Sequence, residues 1–589
     1  MKHVESVFFR GKEHVAMDKI TKKDVIQLLE KIALYLELKG ENPFRISAYR
    51  KAAQALERDE RSLNEIDDVG TIPGIGKGTK ELINEYITTG TSTTLATLEE
   101  EVPAGLIPLL KLPGLGGKRL ATLYKELNII DATSLQKACE DGSVSSLKGF
   151  GKKTVENILD GIKNQGSRPE RLPVHYMLKI AEQIESYLDT IPTITRYSLA
   201  GSLRRLRETI KDIDFIISTE YRETVKSALL EMDDIKDVIA SGDTKISITL
   251  EDEFDVNVDF RLVTDAEYIT TLHHFTGSKD HNVAMRQLAK QRGEKINEYG
   301  VEDTDTSKII QFDTEEEFFQ HFDVAYIPPE MRENKGEVDM FQTSPSYLAR
   351  DMIRGDLHMH STWSDGAESM EEMVQRAREL SYDYIAITDH SKFLRVANGL
   401  NETRLRQQRE EIALLNEKYD DIDIYAGVEM DILPNGKRDF YDEFLQEMDL
   451  VIASIHSSFS QSEKEIMYRL ETALHNPYVD IIAHPTGRII GRREGYHVNV
   501  ERLINVAKET NTALELNANP QRFDLSPYWL EQAQTAGVTI AINTDAHRTS
   551  MLKHMHYGVK VANQAWLQKE SVLNMWDKEA VSAFLTRNK

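Results

Sequence analysis

Two groups of side chains in this 589-residue sequence have the types and spacing to do chemistry. The first begins at Gly201-Ser202 and Arg204-Arg205-Leu206-Arg207, followed by Lys211-Asp212-Ile213-Asp214-Phe215-Ile216-Ile217. On an extended strand, residues i and i+2 face the same side, so the spacing predicts that Asp212 and Asp214 project together. Carboxylates this close repel unless hard divalent cations sit between them. A third carboxylate comes from Val256-Asn257-Val258-Asp259-Phe260-Arg261-Leu262, where Asp259 shares a polar face with Asp255, Asn257 and Arg261. Three carboxylates suit a two-metal site with ions about 3.5–4 Å apart, which activates an attacking oxygen and stabilises a leaving one. Ser202, the nearby backbone N–H groups and Arg205 are suited to hold a polyphosphate. A lone Asp-x-Asp is more often a solvated strand edge; the upstream Gly-Ser-x-x-Arg weakens that reading.

The second group is built on histidine. Ten of the seventeen histidines fall in residues 351–589, most of them beside acids at the ends of apolar runs. His358 and His360 share one strand face, and Asp365 follows. His390 ends Tyr384–Asp389, Glu429 follows Ala426-Gly427-Val428, and His456 follows Leu450–Ile455. His484 follows Ile481-Ile482-Ala483, while Asp545 and His547 close Val538–Asn543. Side chains at the C-terminal ends of barrel strands converge on one mouth. A single histidine there is usually structural, but so many histidine/acid clusters are hard to explain as packing. Nine N/O ligands without cysteine fit two or three ions of the Zn, Mn or Fe type, which activate water and clamp a phosphate ester. Arg488, Arg492, Arg493 and Arg522 near this mouth have two readings, phosphate contacts or a solvated face. Asp389 is expected to orient His390.

These groups need elements to position them, and the length predicts about four domains. Apolar residues make up 40% and charged residues 29%, an ordinary globular composition. No apolar run is long enough for a membrane span, no secretory leader is evident, and the single Cys139 excludes a disulfide framework. The net charge of −25, taken alone, opposes nucleic acid. However, residues 17–170 hold 22 basic against 23 acidic side chains, so the acidity belongs to the later segments. Met1–Ala16 reads as an extension, with Met17 expected as the natural start. Helical periodicity begins after it, with Val25, Leu28, Leu29, Ile32 and Leu36 on one face.

Between Thr71 and Gly161 one pattern occurs three times: Ile72-Pro73-Gly74-Ile75-Gly76-Lys77, Leu112-Pro113-Gly114-Leu115-Gly116-Gly117 and Leu147-Lys148-Gly149-Phe150-Gly151-Lys152. Each precedes an amphipathic run and trailing cations such as Lys77, Lys118 and Lys152. Two glycines permit a tight turn around a plugging apolar residue, and the turn presents N–H groups at a helix start. One copy is as readily an ordinary loop. Three copies resemble the helix-hairpin-helix motif, which grips phosphates rather than base edges. Asn164–Pro173 reads as a linker. Strands are expected at Arg196–Ala200, Asp214–Ser218, Lys245–Leu250 and Asp255–Leu262, and a helix at Val174–Asp189. After Gln342–Tyr347, apolar strands alternate with helices, the rhythm of an α/β barrel.

Gly201-Ser202 with Asp212-x-Asp214 is similar to the nucleotidyltransferase signature of the DNA polymerase beta superfamily, and further residues narrow this to DNA polymerase family X. His274-Phe275-Thr276-Gly277-Ser278 resembles its nucleotide-sugar turn. Asn282 matches a contact to the incoming nucleotide and Arg286 one to the template strand, and Asn297–Gly300 resembles a thumb strand. Asn42–Ala53, with Arg45 and Tyr49, resembles the small domain that binds the 5′-phosphate side of gapped DNA. The resemblance makes Asp212 and Asp214 ligands of both metals and places Asp259 near the primer 3′-OH. Gly201, Ser202, Arg205, His274, Phe275, Gly277 and Asn282 become nucleotide-binding positions. Two departures stand out. Leu82 and Gly78 replace lysines of lyase-competent members, which speaks against deoxyribose-phosphate lyase activity. His274 replaces a tyrosine, which leaves ribonucleotide rejection open. The histidine group resembles the PHP (polymerase and histidinol phosphatase) domain, with all nine ligand positions present: His358, His360, Asp365, His390, Glu429, His456, His484, Asp545 and His547.

Together the resemblances imply a multidomain chain of the bacterial PolX type: an extension (1–16), helical hairpin domains (17–95 and 96–165), an α+β nucleotidyltransferase palm (170–265), a thumb (266–340) and a distorted TIM-like PHP α/β barrel (350–589). They imply gap-filling DNA synthesis in base excision repair with Mg²⁺ or Mn²⁺. They also imply 3′-5′ exonuclease, AP-endonuclease or 3′-phosphodiesterase activity from two or three Mn²⁺, Zn²⁺ or Fe ions. The expected partners are gapped or nicked double-stranded DNA and dNTPs, for a cytoplasmic monomer with no membrane role. The rival expectation is a PHP phosphoesterase whose polymerase-like part only binds DNA.

Overall fold

The computed structural model describes residues 20, 22–59, 63, 66, 68–110, 112, 115–165 and 170–587. The expected extension 1–16 and Gly114 of the second hairpin lie outside them. The chain divides into two compact units. One is built on the residues up to Asn164, with 360–373 and 394–401; the other is built on the remainder.

The first unit owes its shape to helical periodicity broken by glycine. The helix Lys22–Lys39 buries Val25, Leu28, Leu29, Ile32 and Leu36, the stripe its sequence predicts. The next helix, Pro43–Arg58, starts where Asn42 accepts a hydrogen bond from the Phe44 N–H and Pro43 presets the first turn. The helices Lys77–Thr89, Gly117–Leu127 and Lys152–Gln165 each follow one copy of the repeat. Ile75, Leu115 and Phe150, the residues between the paired glycines, are all buried in the core of this unit.

In the second unit, one five-stranded sheet runs in the order Arg196–Leu199, Ile213–Ser218, Val256–Val263, Lys245–Leu250, Ile235–Ser241. Ile213–Ser218 and Val256–Val263 are parallel neighbours; the other pairs are antiparallel. Val256–Val263 alternates buried and half-buried positions, as its sequence predicts. The edge strand Ile235–Ser241 was not expected: it exposes nearly all its side chains, so no burial alternation marks it. Beyond this sheet, the helices Tyr268–Thr276 and Lys279–Gln291 and the small antiparallel sheet of Glu294–Asn297, Gly300–Asp303 and Ile309–Ile310 contribute to an aromatic core with Phe318, Phe319, Phe322 and Phe341.

The C-terminal part of this unit is a parallel sheet of seven strands in sequence order: Gly355–Asp356, Tyr384–Ile387, Asp423–Asp431, Leu450–Ser454, Ile481–Ile482, Ala513–Asn517 and Ile540–Asn543. A parallel bridge from Met359 to Ala546 joins its two ends, so the barrel is nearly closed. Apolar residues fill the strands because helices cover them outside and neighbouring strands crowd them inside. No helix among the described residues is long and apolar enough to cross a membrane.

Candidate active sites and nucleic-acid interface

The parallel pairing of Ile213–Ser218 with Val256–Val263 sets Asp214 directly opposite Asp259. Asp212 precedes the first of these strands by one residue, rather than sitting on it, and accepts a hydrogen bond from Asn257 Nδ2 at 3.3 Å. Asp259 accepts a hydrogen bond from Ser247 Oγ at 2.6 Å and lies 2.9 Å from the Lys245 ammonium. Burial, then the charges of Asp259 and Asp212, push the Asp214 carboxyl up to about 7. Divalent cations would relieve that repulsion, so the donor set fits them.

Gly201 begins a short helix over these carboxylates with φ +62°, and a Cβ there would lie 2.3 Å from Asp214 Oδ2. Only glycine permits that approach. Ser202 follows in the same turn, Gly201–Arg204. Arg205 points toward residues 274–278: Nε donates to Glu333 at 2.9 Å, and Nη1 donates to the Thr276 carbonyl. It therefore staples the Gly201 loop to residues 274–278. Asn282 is buried and donates to the His274 carbonyl at 2.8 Å, while Arg261 lies 4.0 Å over the Phe275 ring. Burial lowers the His274 pKa. Gly277 ends its helix at φ +68°, and Arg286 is exposed on the next one. Beneath the loop, Arg204 and the fully buried Arg332 both bind Glu315, at 2.5 and 2.7 Å.

In the helical unit Gly74 and Gly149 have φ of +110° and +96°, as a tight turn requires. At Gly76, Gly116 and Gly151 a Cβ would meet nothing within 4 Å. Glycine at these positions leaves the turn open to an incoming group. Lys77, Lys118 and Lys152 are exposed beside them. Arg45 is exposed, next to a Phe44 that is 86% exposed, and Tyr49 is half-buried. Leu82 is buried and Gly78 exposed. Lys80, the nearby amine, is held by Asp68 at 2.7 Å.

The strand ends of the barrel bring the histidine group together. Among the described residues, candidate ligand atoms of His360, Asp365, His390 and His547 lie within 4.8 Å of one another. The same holds for His358, His360 and Asp545, and for His390, Glu429 and His456. Glu429 lies at the centre: its oxygens are 2.8 Å from His390 Nδ1, 3.0 Å from His484 Nε2, 3.2 Å from His456 Nε2 and 3.4 Å from His358 Nε2. Burial alone would raise its pKa, but His456, His390 and His358 hold it well below the carboxylate range. Against the same burial, Glu515, Asp545 and Glu429 raise His358, while Glu429 and Asp431 raise His456 to about 10.

Several positioning residues escape a sequence reading. Glu515 contacts His358 Nδ1 at 2.7 Å and accepts from the His484 N–H at 2.8 Å. Asp431 lies 3.2 Å from His456 Nδ1, and Asn517 donates to Asp545 at 3.0 Å. Such contacts turn the other imidazole nitrogen inward, the usual support of a metal-binding histidine. Glu515 and Asp431 sit at buried strand positions, and a charged residue in an apolar strand is the signal that could have found them. The Asp389 carboxylate accepts a hydrogen bond from Gln408, and its carbonyl accepts from the Glu429 N–H. Of the arginines, Arg522 lies 3.8 Å from Asp545, Arg493 stacks on Phe459, and Arg488 holds the Arg522 and Phe523 carbonyls.

A carboxylate-bearing palm with its thumb, and a histidine-lined barrel, define a nucleotidyltransferase joined to a metal-dependent phosphoesterase. Family models match in the same sense: a helix-hairpin-helix domain over residues 20–92, a SAM-like helix-hairpin-helix tandem over 106–164, the DNA polymerase beta thumb over 271–333 and a PHP domain over 356–519. The chain is 56% identical over 567 residues to the DNA polymerase/3′-5′ exonuclease PolX of Bacillus subtilis, covering 96% of this chain and all of the relative. It belongs to the PolX family. It is also 28% identical over 230 residues to a "probable phosphatase" of Thermoanaerobacter sp. strain X514, covering 37% of this chain and 89% of that one. A "probable phosphatase" of Shewanella halifaxensis is 28% identical over 244 residues, 39% and 92% of the two chains. Both catalytic domain types depend on divalent metal ions, and the hairpin and thumb domains bind DNA.

Proposed function

We propose that the chain is a two-site DNA repair enzyme: a DNA-directed DNA polymerase that fills short gaps, and a 3′-5′ exonuclease. Hairpin residues 17–95 and 96–165 grip the substrate, 170–265 and 266–340 synthesise, and 350–589 hydrolyse. The observation that carries this reading is the pairing of Asp214 opposite Asp259 on one sheet and the gathering of histidines and carboxylates at the strand ends of another, in a chain similar end to end to a polymerase/exonuclease. An intact Asp212, Asp214 and Asp259 set does not favour the rival phosphoesterase whose polymerase-like part only binds DNA.

At the palm, Asp212, Asp214 and Asp259 would hold Mg²⁺ or Mn²⁺, which supply charge to activate the primer 3′ oxygen and stabilise the departing pyrophosphate. Ser202 and the backbone N–H groups of its turn bind the triphosphate of the dNTP. Arg205 keeps that turn against the sugar-facing residues His274, Phe275 and Gly277, and Asn282 fixes the His274 carbonyl. Gly74, Gly76, Lys77, Gly116, Lys118, Gly149, Gly151 and Lys152, with Arg45, Tyr49 and Arg286, carry the DNA backbone of a gapped or nicked duplex.

In the barrel, the nine residues His358 to His547 named above would hold two or three Mn²⁺, Zn²⁺ or Fe ions, which supply an activated water and a clamp for the scissile phosphodiester. Glu515 and Asp431 orient imidazoles, and burial excludes bulk water from Glu429. The same chemistry would serve AP-endonuclease or 3′-phosphodiesterase substrates. The protein is read as a cytoplasmic monomer.

The test uses a 5′-phosphorylated one-nucleotide gap with a labelled primer in Mn²⁺, with and without dNTPs. Asp212→Ala should abolish extension and keep shortening; His358→Ala should do the reverse. Loss of both activities in Asp212→Ala would overturn the division of labour, and shortening without any extension by the wild type would return the rival.

A further inference from the structure

A cavity of about 570 Å³ opens between the residues that follow the Gly201 loop and the C-terminal barrel. Arg171, Arg207, Arg488, Glu208, Tyr528 and Gln564 are among its lining residues. Three guanidinium groups line it, Arg488 paired with Glu208 at 2.8 Å and Arg207 3.6 Å from Glu333, so it keeps an excess of positive charge inside a chain whose net charge is −25. Its charge is therefore local and opposite to that of the molecule.

Its position is set by hydrogen bonds. Gln564 Nε2 donates to the carbonyls of Arg205 and Leu206, at 2.9 and 3.0 Å, so one wall is continuous with the nucleotide loop. Arg488 is 2.8 Å from Glu208 and also holds the carbonyls of Arg522 and Phe523. Arg522 in turn lies 3.8 Å from Asp545 of the histidine mouth. The cavity thus adjoins both sites. Tyr528, 61% exposed and T-shaped against Trp529 at 4.8 Å, adds an aromatic ring to the lining.

We propose that this cavity binds the unpaired, single-stranded 3′ end of a primer on its way from the palm to the barrel. Guanidinium groups match phosphodiester oxygens in a planar fork. A basic groove with an aromatic platform is how single strands are held without reading sequence, the phosphates by charge and a base by stacking. A single strand lays its phosphates and bases bare to such a cavity, whereas a duplex keeps its bases stacked inside. Arg171 and Tyr528 are exposed, so a strand reaches them without unfolding anything. The inference rests on the two-site reading above.

The test is fluorescence anisotropy of a primer–template in EDTA, with the primer either fully paired or ending in a short unpaired 3′ tail, for wild type, Arg171→Ala, Tyr528→Ala, the double variant and Tyr528→Phe. The double variant should bind the tailed duplex about tenfold more weakly and the paired duplex like wild type, while Tyr528→Phe stays close to wild type on both. In single turnover with excess trap DNA, wild type should trim the tail and then extend, while the double variant loses the primer to the trap. Equal weakening on both duplexes, or no weakening on the tailed one, would overturn the proposal. Extension of paired primers and shortening by each protein are measured alongside. Their absence in wild type would overturn the two-site reading, whereas intact activities with unchanged tail binding overturn only the cavity.

Discussion

At the scale of single residues, supporting contacts decide how well a catalytic group is held. His358 is buried, and its Nδ1 is fixed by Glu515 at 2.7 Å, which leaves Nε2 facing Glu429 and Asp545. Glu515→Gln keeps the size and removes the charge, so the imidazole loses its orienting anion. Metal affinity of the barrel should fall about 10–100-fold, read as metal retained after dialysis against a buffered metal solution, with gap extension unchanged. Glu315 supplies a second case, away from both donor sets. Burial opposes its ionisation, but Arg332 and Arg204 outweigh that and hold its pKa well below the usual 4.5. A depressed folded-state value means that the contribution is complete above pH 4.5 and is lost as pH falls through the folded value. Glu315→Gln strands two buried or nearly buried guanidiniums, at a cost of about 3–5 kcal/mol at neutral pH. The variant should also show a flatter decline of stability in acid than wild type, measured by urea unfolding between neutral pH and pH 3.

At the scale of elements, the hairpins show what repetition contributes. Each turn plugs the core with one apolar residue and exposes a glycine and a lysine at the start of the next helix. If the lysines neutralise phosphates, the triple variant Lys77→Ala, Lys118→Ala, Lys152→Ala should lower the slope of log K against log salt by about 0.9 for each phosphate that no longer meets a cation. A salt titration of gapped-duplex binding measures it, and an unchanged slope would take the hairpins off the DNA. These turns were legible in the sequence because glycine, an apolar plug and glycine recur at fixed spacing. The carboxylate strands and the histidine-ended barrel strands were legible because alternation and buried runs are local patterns. Ile235–Ser241 was not, since an exposed edge strand leaves no alternation. Asp212 was placed on a strand that begins one residue later, the kind of boundary a hydrogen-bond ladder fixes and side-chain types do not. Glu515 and Asp431 left only the trace of a charge in an apolar strand, and Gln564 left none, because its partners lie 359 and 358 residues away.

At the scale of the molecule, the barrel and the palm share more than a chain. Lys553 is 2.9 Å from Glu182, Asn563 donates to Glu330 at 2.9 Å, and Gln564 holds the carbonyls of Arg205 and Leu206. Leu206 has φ +53°, a left-handed backbone that costs a non-glycine residue about 1–2 kcal/mol. The residue before it, Arg205, donates to the Thr276 carbonyl and to Glu333. A barrel residue therefore holds the Gly201 loop, the proposed nucleotide site, in a conformation the loop would not choose alone. Gln564→Ala removes two neutral hydrogen bonds, each worth about 0.5–1.5 kcal/mol. The loop should then be less often in its binding form, and the KM for dNTP should rise about three- to tenfold while kcat changes less. Steady-state extension across a dNTP series checks this, with 3′ shortening as the internal control. If KM holds while thermal stability drops, the contact is only structural glue; if KM rises with stability unchanged, the hydrolytic domain helps set how tightly the synthetic one takes its substrate.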